Sequence, residues 1–141
     1  MAVHGDLVAV PVDLVVPCIE LYDYTTRTLV RILRIKAGGG SICFTPDGKH
    51  VAVNDAESIK LMSVDGQSAR PIGEGYWSGV AFTCTGDVIC VTSESVSVFS
   101  ATDGMLLRSW TAQTDVADTD CVTVFSDRLY ALTHGRVHVY Q

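Results

Sequence analysis

A stretch of 26 residues whose grammar returns 38 positions later constrains this chain more than any other feature. The first copy, Ser41 to Gly66, reads SICFTPDGKHVAVNDAESIKLMSVDG, and the second, Gly79 to Gly104, reads GVAFTCTGDVICVTSESVSVFSATDG. Gly48 aligns with Gly86, Asp65-Gly66 with Asp103-Gly104, and Val51-Ala52-Val53 with Ile89-Cys90-Val91. Four apolar runs extend the pattern outward: Ile19-Glu20-Leu21-Tyr22, Ile59-Lys60-Leu61-Met62, Val96-Ser97-Val98-Phe99 and Val137-His138-Val139-Tyr140. Their last residues lie 40, 37 and 41 positions apart. A repeat of about 40 residues means that each unit is one supersecondary element, which buries its apolar faces by stacking on its neighbours.

Each unit divides into segments of about five residues, rich in Val, Ile, Phe and Tyr and separated by Gly, Asp, Ser and Thr. Segments of that length, with those separators, are strands and tight turns. No window carries a three-and-four apolar spacing long enough for a helix, so the chain reads as all-β with fifteen strands. Four fall in each of the first three units and three in the last. The units are placed at approximately 1-36, 37-75, 76-114 and 115-141, within one domain. Segments such as Ile42-Cys43-Phe44 and Ile89-Cys90-Val91 are apolar on both faces, as sheets stacked face to face require. Outer segments such as Ala69 to Ile72 and Leu107 to Trp110 mix in charge, as a solvated rim would, and Pro71 suits a strand that needs no ladder donor.

These residues resemble the WD-repeat family and its NHL-like relatives. Phe44-Thr45-Pro46-Asp47-Gly48-Lys49 followed by Val51-Ala52-Val53 is similar to the inner hairpin of a WD blade. Ile59 to Gly66 is similar to the third strand and its turn. The Trp-Asp that commonly closes that strand is here Tyr22-Asp23, Met62-Ser63, Phe99-Ser100 and Tyr140-Gln141, and Gly38-Gly39-Gly40 stands where a Gly-His pair is common. The resemblance implies a divergent β-propeller of about four blades of mostly four antiparallel strands, and with it a non-catalytic protein-interaction scaffold.

Closure of such a ring is a physical problem. Propeller blades bury each face on a neighbour, and a bare terminal face forgoes on the order of 10 kcal/mol of apolar burial. That is comparable to the stability of a whole domain. The three-stranded last unit weakens a compact four-bladed ring, so an incomplete or partner-completed ring is expected, with self-association through the terminal blades.

The formal charge of −6 leaves no basic stripe to displace counterions, so no nucleic acid is expected as a partner. No apolar run reaches the roughly 18 to 20 residues that span a bilayer. The N-terminus lacks a secretory n-region, and the five cysteines read as small hydrophobes of a reducing compartment. A cytoplasmic protein with no membrane contact is therefore expected. His4, His50, His134 and His138 are scattered without a nucleophile or acid beside them, so no catalytic residue is assigned. Asp115, Asp118 and Asp120 lack the glycine and terminal Glu of a calcium loop, and Gly38 to Gly40 lead into a strand rather than a helix. No metal or cofactor is expected.

The candidate binding residues lie on connectors between units and on turns between second and third strands, which share one face of a propeller. They are Tyr76 and Trp77, with Asn54, Asp55 and Glu57, and then Ser93 and Glu94. Aromatics on such a face are contact anchors, and the acidic bias suits a basic protein partner. The competing reading has Trp77 plugging the gap between two blades. The competing function is a small-molecule-binding or enzymatic propeller with its site at the central channel, which would need polar groups there beyond Thr45 and Thr83.

Overall fold

The computed structural model describes residues 1–36, 40–55, 57–75, 77–92, 95–111, 119–125, 128–133 and 136–140. Their strands form four antiparallel sheets, each made of consecutive segments. The first sheet holds β1 (Ala2–His4), β2 (Leu7–Val12), β3 (Cys18–Asp23) and β4 (Thr28–Arg34). The second holds β5 (Ile42–Phe44), β6 (His50–Asn54), β7 (Ser58–Ser63) and β8 (Ala69–Glu74). The third holds β9 (Gly79–Phe82), β10 (Val88–Val91), β11 (Ser95–Phe99) and β12 (Leu106–Thr111). The fourth has three strands, β13 (Thr119–Phe125), β14 (Arg128–Thr133) and β15 (Arg136–Tyr140). Among the described residues no helix is long and apolar enough to cross a membrane.

The hairpins close through one repeated device. Thr45 Oγ1 accepts from the His50 N–H at 3.0 Å and donates to Asp47 at 2.7 Å, while Asp47 takes the Lys49 N–H at 3.0 Å. Ser63, Asp65, Gln67 and Ser68 repeat these bonds at the β7–β8 turn. A short polar side chain that satisfies turn N–H groups makes Thr/Ser-x-Asp-Gly a local stop signal for a strand.

The four sheets stack in chain order. Ala9, Ile19, Leu21 and Leu33 of the first pack on Phe44, Val51, Val53 and Met62 of the second. The opposite face of the second sheet, with Ala52, Ile59, Leu61 and Ile72, meets Val80, Phe82, Val88, Cys90 and Phe99. Ile89, Val91, Val96 and Val98 then meet Val122, Val124, Leu129 and Ala131 of the fourth sheet. Alternation along each strand puts one residue set on each neighbour, so the middle sheets are apolar on both sides. The first strands of the sheets neighbour one another in sequence, β1 on β5, β5 on β9 and β9 on β13. A cavity of about 250 Å³ is lined from all four of them.

The outer strands form the solvated rim their charges imply, β12 at every position and β4 at every position but Leu33. Leu33 on β4 and Ile72 on β8 are 3% and 1% exposed, because the next sheet covers that side of the strand. Charge and proline occupy the other positions of β8, where Pro71 is exposed.

Among the described residues no core cluster joins the first sheet to the fourth. The first sheet turns Val3, Val8, Val10, Tyr22, Leu29 and Ile32 away from the second, in one cross-strand patch around Glu20, whose carboxylate accepts the Tyr22 hydroxyl at 2.6 Å. Val3, Leu29 and Ile32 are exposed there. The fourth sheet likewise turns Tyr130, Leu132, Val137 and Val139 away from the third, and the two valines are exposed.

Candidate functional site

At one end of the stack, one second-to-third-strand turn meets the connectors on both sides of its sheet. The β6–β7 turn sits between two connectors: the Gly75 N–H donates to the Glu57 carbonyl at 2.9 Å, and the Lys36 N–H donates to Asp55 Oδ1 at 2.5 Å. Four of the residues singled out by sequence, Asn54, Asp55, Glu57 and Trp77, belong to this cluster. Tyr76, Ser93 and Glu94 lie outside the described residues.

Trp77 is 7% exposed and fills the junction of the second and third sheets. Its ring meets Phe99 edge-to-face with centroids 5.6 Å apart, and its Nε1–H donates to the Gly73 carbonyl at 3.3 Å. An aromatic pair in that geometry adds to area burial, so the indole works here as a gap-filler, the second of the two roles weighed for it. Asn54 is buried beside it and donates from Nδ2 to the Trp77 carbonyl, leaving Oδ1 without a partner among the described residues. Asp55, 3% exposed, takes the Lys36 N–H on one oxygen and stands 3.3 Å from Lys60 Nζ on the other. Glu57 is exposed and pairs at 3.3 Å with the exposed Lys36 ammonium, a contact that solvent leaves weak.

Lys36 and Lys60 were missed in the sequence, although one signal pointed to them. Lys60 interrupts the apolar run Ile59 to Met62, and a lysine placed mid-strand in a stacked sheet requires a buried acid nearby. Asp55 is that acid.

At the centre of the stack, the cavity shared by β1, β5, β9 and β13 is walled by Ala2, Val3, Phe44, Ala81, Phe82 and Val122, among others. Among the described residues its polar contributors are His4, Cys43, Thr45 and Thr123, with no carboxylate. The His4 ring lies 5.9 Å from that of Phe44 at a tilt of 42°. Burial pushes the Cys43 and Cys90 thiols far up, so neither supplies a thiolate at neutral pH. Among the described residues no three His, Cys, Asp or Glu side chains gather in a metal-holding group.

No family model matches the chain, and no curated protein matches it. Among solved structures it is similar to hydrazine synthase of Kuenenia stuttgartiensis, with a TM-score of 0.67 and 16% identity. The match covers 86% of this chain and 39% of that one. This chain therefore spans less than half the length of that protein, and likeness at such identity concerns the fold alone. In all, 529 chains of solved structures match, so the architecture is shared too widely to select a function.

Proposed function

We propose that the chain is a non-catalytic protein-interaction scaffold of the WD-repeat-like propeller type. Its four sheets are the blades, and the ring is completed by a second copy through the terminal faces. The observation that carries this reading is the pair of uncovered apolar faces, with Val3, Val8, Val10, Tyr22, Leu29 and Ile32 at one end and Tyr130, Leu132, Val137 and Val139 at the other. Within the stack, each sheet presents one such face forward and one backward, and forward meets backward three times. The face that complements the fourth sheet is therefore the one the first sheet leaves bare. Burying six such side chains is worth on the order of 10 kcal/mol, enough to offset the entropy of association.

The central cavity supports a scaffold over an enzyme, because the described residues of its wall include no acid to work with His4. Asp55 and Glu57 at the connector end are paired with Lys60 and Lys36, so a basic partner is favoured instead by the opposite, hairpin end of the stack. There, turn hydrogen bonds hold Asp23, Asp47, Asp65 and Asp103 below the ordinary carboxylate range, so they stay ionised. The test is the mass in solution from micromolar to near-millimolar concentration. Twice 15.2 kDa, reverting to one copy in Ile32→Lys, supports the reading; a single copy throughout overturns it.

A further inference from the structure

At the hairpin end of the second sheet, the β5–β6 and β7–β8 turns stand side by side around a cavity of about 510 Å³. Lys49 and His50 reach it from the first turn, and Val64, Asp65, Gln67 and Ser68 from the second. The Val64 N–H donates to the Lys49 carbonyl at 2.9 Å and ties the two turns together. Asp65 Oδ1 is held by the Ser63 hydroxyl at 2.6 Å and the Gln67 N–H at 2.9 Å. The Ser63 hydroxyl and then the Gln67 N–H hold that carboxyl below its ordinary range, with Arg31 and His50 adding to the effect.

The turns consume only part of the polar chemistry around this cavity. Among the described residues the Lys49 ammonium, the His50 ring, the Gln67 amide and the Ser68 hydroxyl make no hydrogen bond or salt bridge, and Asp65 uses one oxygen of two. His50 is half-buried and the other four are exposed. The fold builds the same hairpin elsewhere without these groups. In the third sheet Thr83 Oγ1 accepts the Asp87 N–H at 3.0 Å, as Thr45 Oγ1 accepts that of His50. Asp87 thus stands where His50 does, in a turn one residue shorter, and Lys49 is the added residue. The first sheet turns more tightly still, with only Gly5 and Asp6 between the paired His4 and Leu7.

We propose that this cavity binds a small zwitterion, a molecule such as an amino acid or short peptide that carries one ammonium and one carboxylate. Its carboxylate meets the Lys49 ammonium, its ammonium meets the open oxygen of Asp65, and Gln67 and Ser68 offer neutral hydrogen bonds between them. A simple anion would also meet Asp65, and a simple cation would also meet Lys49 and Arg31, which lies over Gly66 beside Asp65. A ligand with both charges satisfies each side of the cavity without facing a like charge. The volume is in the range of about 300 to 1,000 Å³ that suits small molecules. The inference goes beyond the scaffold reading and uses neither terminal face.

Glycylglycine is the probe, since its two charged ends lie about 7 Å apart when extended. Titrated into the isotope-labelled intact chain, it should saturably shift the backbone amide resonances of Lys49, His50, Val64 and Gln67. N-acetylglycylglycine lacks the ammonium and glycylglycinamide the carboxylate, so each should bind about tenfold more weakly, as loss of one charge-assisted hydrogen bond requires. Lys49→Ala should bind glycylglycine and glycylglycinamide alike. Asp65→Asn, which keeps an acceptor for Ser63 and Gln67, should bind glycylglycine and its acetylated form alike. A role confined to the turns would move stability without matching each variant to one analogue. Equal affinity for all three probes, unchanged preferences in both variants, shifts confined to other residues, or no saturable shift overturns the proposal. The end-face association is read separately from the solution mass, so either reading can fail alone.

Discussion

The side-chain amide of Asn54, at the end of β6, donates to the backbone carbonyl of Trp77, in the connector that leads to the next sheet. One hydrogen bond thus ties the turn of one sheet to the entry of its neighbour, with the indole locked beneath it. Trp77→Ala should cost about 3 to 5 kcal/mol, the range for emptying a buried aromatic site, and Trp77→Phe clearly less. Asn54→Ala should cost only about 1 kcal/mol, because the lost bond is partly offset by removing the unpartnered Oδ1. Urea unfolding of the three variants checks the order.

Asp55 joins the connector after the first sheet to the interior of the second through the Lys36 N–H and Lys60. Asp55→Ala strands a mostly buried ammonium and an N–H at once, so it should destabilise by about 3 kcal/mol or more. Glu57→Ala, which removes only an exposed pair, should change stability by less than about 0.5 kcal/mol. Equal effects in thermal denaturation would contradict this division between latch and surface.

Gly73 has a φ of 63° and faces the Phe99 ring, which would lie 2.9 Å from an added Cβ. Gly104 shares the left-handed backbone with φ 75° but meets nothing within 4 Å. Both alanine variants carry backbone strain of about 1 kcal/mol, and only Gly73→Ala also displaces the Trp77–Phe99 pair. Gly73→Ala should therefore lower the melting temperature markedly more than Gly104→Ala.

Acid should weaken the fold through its turns. Asp47 is held below its ordinary pKa of 3.8 chiefly by the Thr45 hydroxyl, Asp65 by that of Ser63, and Asp103 by the Met105 N–H. Because the folded-state values lie below the unfolded ones, the stabilisation is complete above pH 3.8 and is lost as pH falls through the folded-state values. A variant carrying Asp47→Asn, Asp65→Asn and Asp103→Asn should be less stable at neutral pH and show a shallower acid limb in melting temperature against pH.

The strands were legible because their separators are chemical: Thr45-Pro46-Asp47-Gly48 and Ser63-Val64-Asp65-Gly66 build their turns locally, whatever packs around them. Burial of the connector was not legible in the same way. Whether Trp77 faces solvent or Phe99 depends on how close two sheets approach, and no local pattern encodes that distance. The arginines at 31, 70 and 108, spaced 39 and 38 apart, did carry a readable period. They were hidden by the expectation that charge on an outer strand only meets water, whereas Arg70 reaches across to Thr102.

Cross-linking across the two bare faces tests the central claim most directly. Leu29→Cys and Val139→Cys, introduced together with Cys18, Cys84 and Cys121 replaced by Ser, place one thiol on each face. Two differently tagged copies are then mixed and treated with a short bis-maleimide. The account predicts a cross-linked species carrying both tags, formed by the first sheet of one copy on the fourth sheet of the other. Cross-links confined within single chains would mean that the stack closes on itself, and would contradict it.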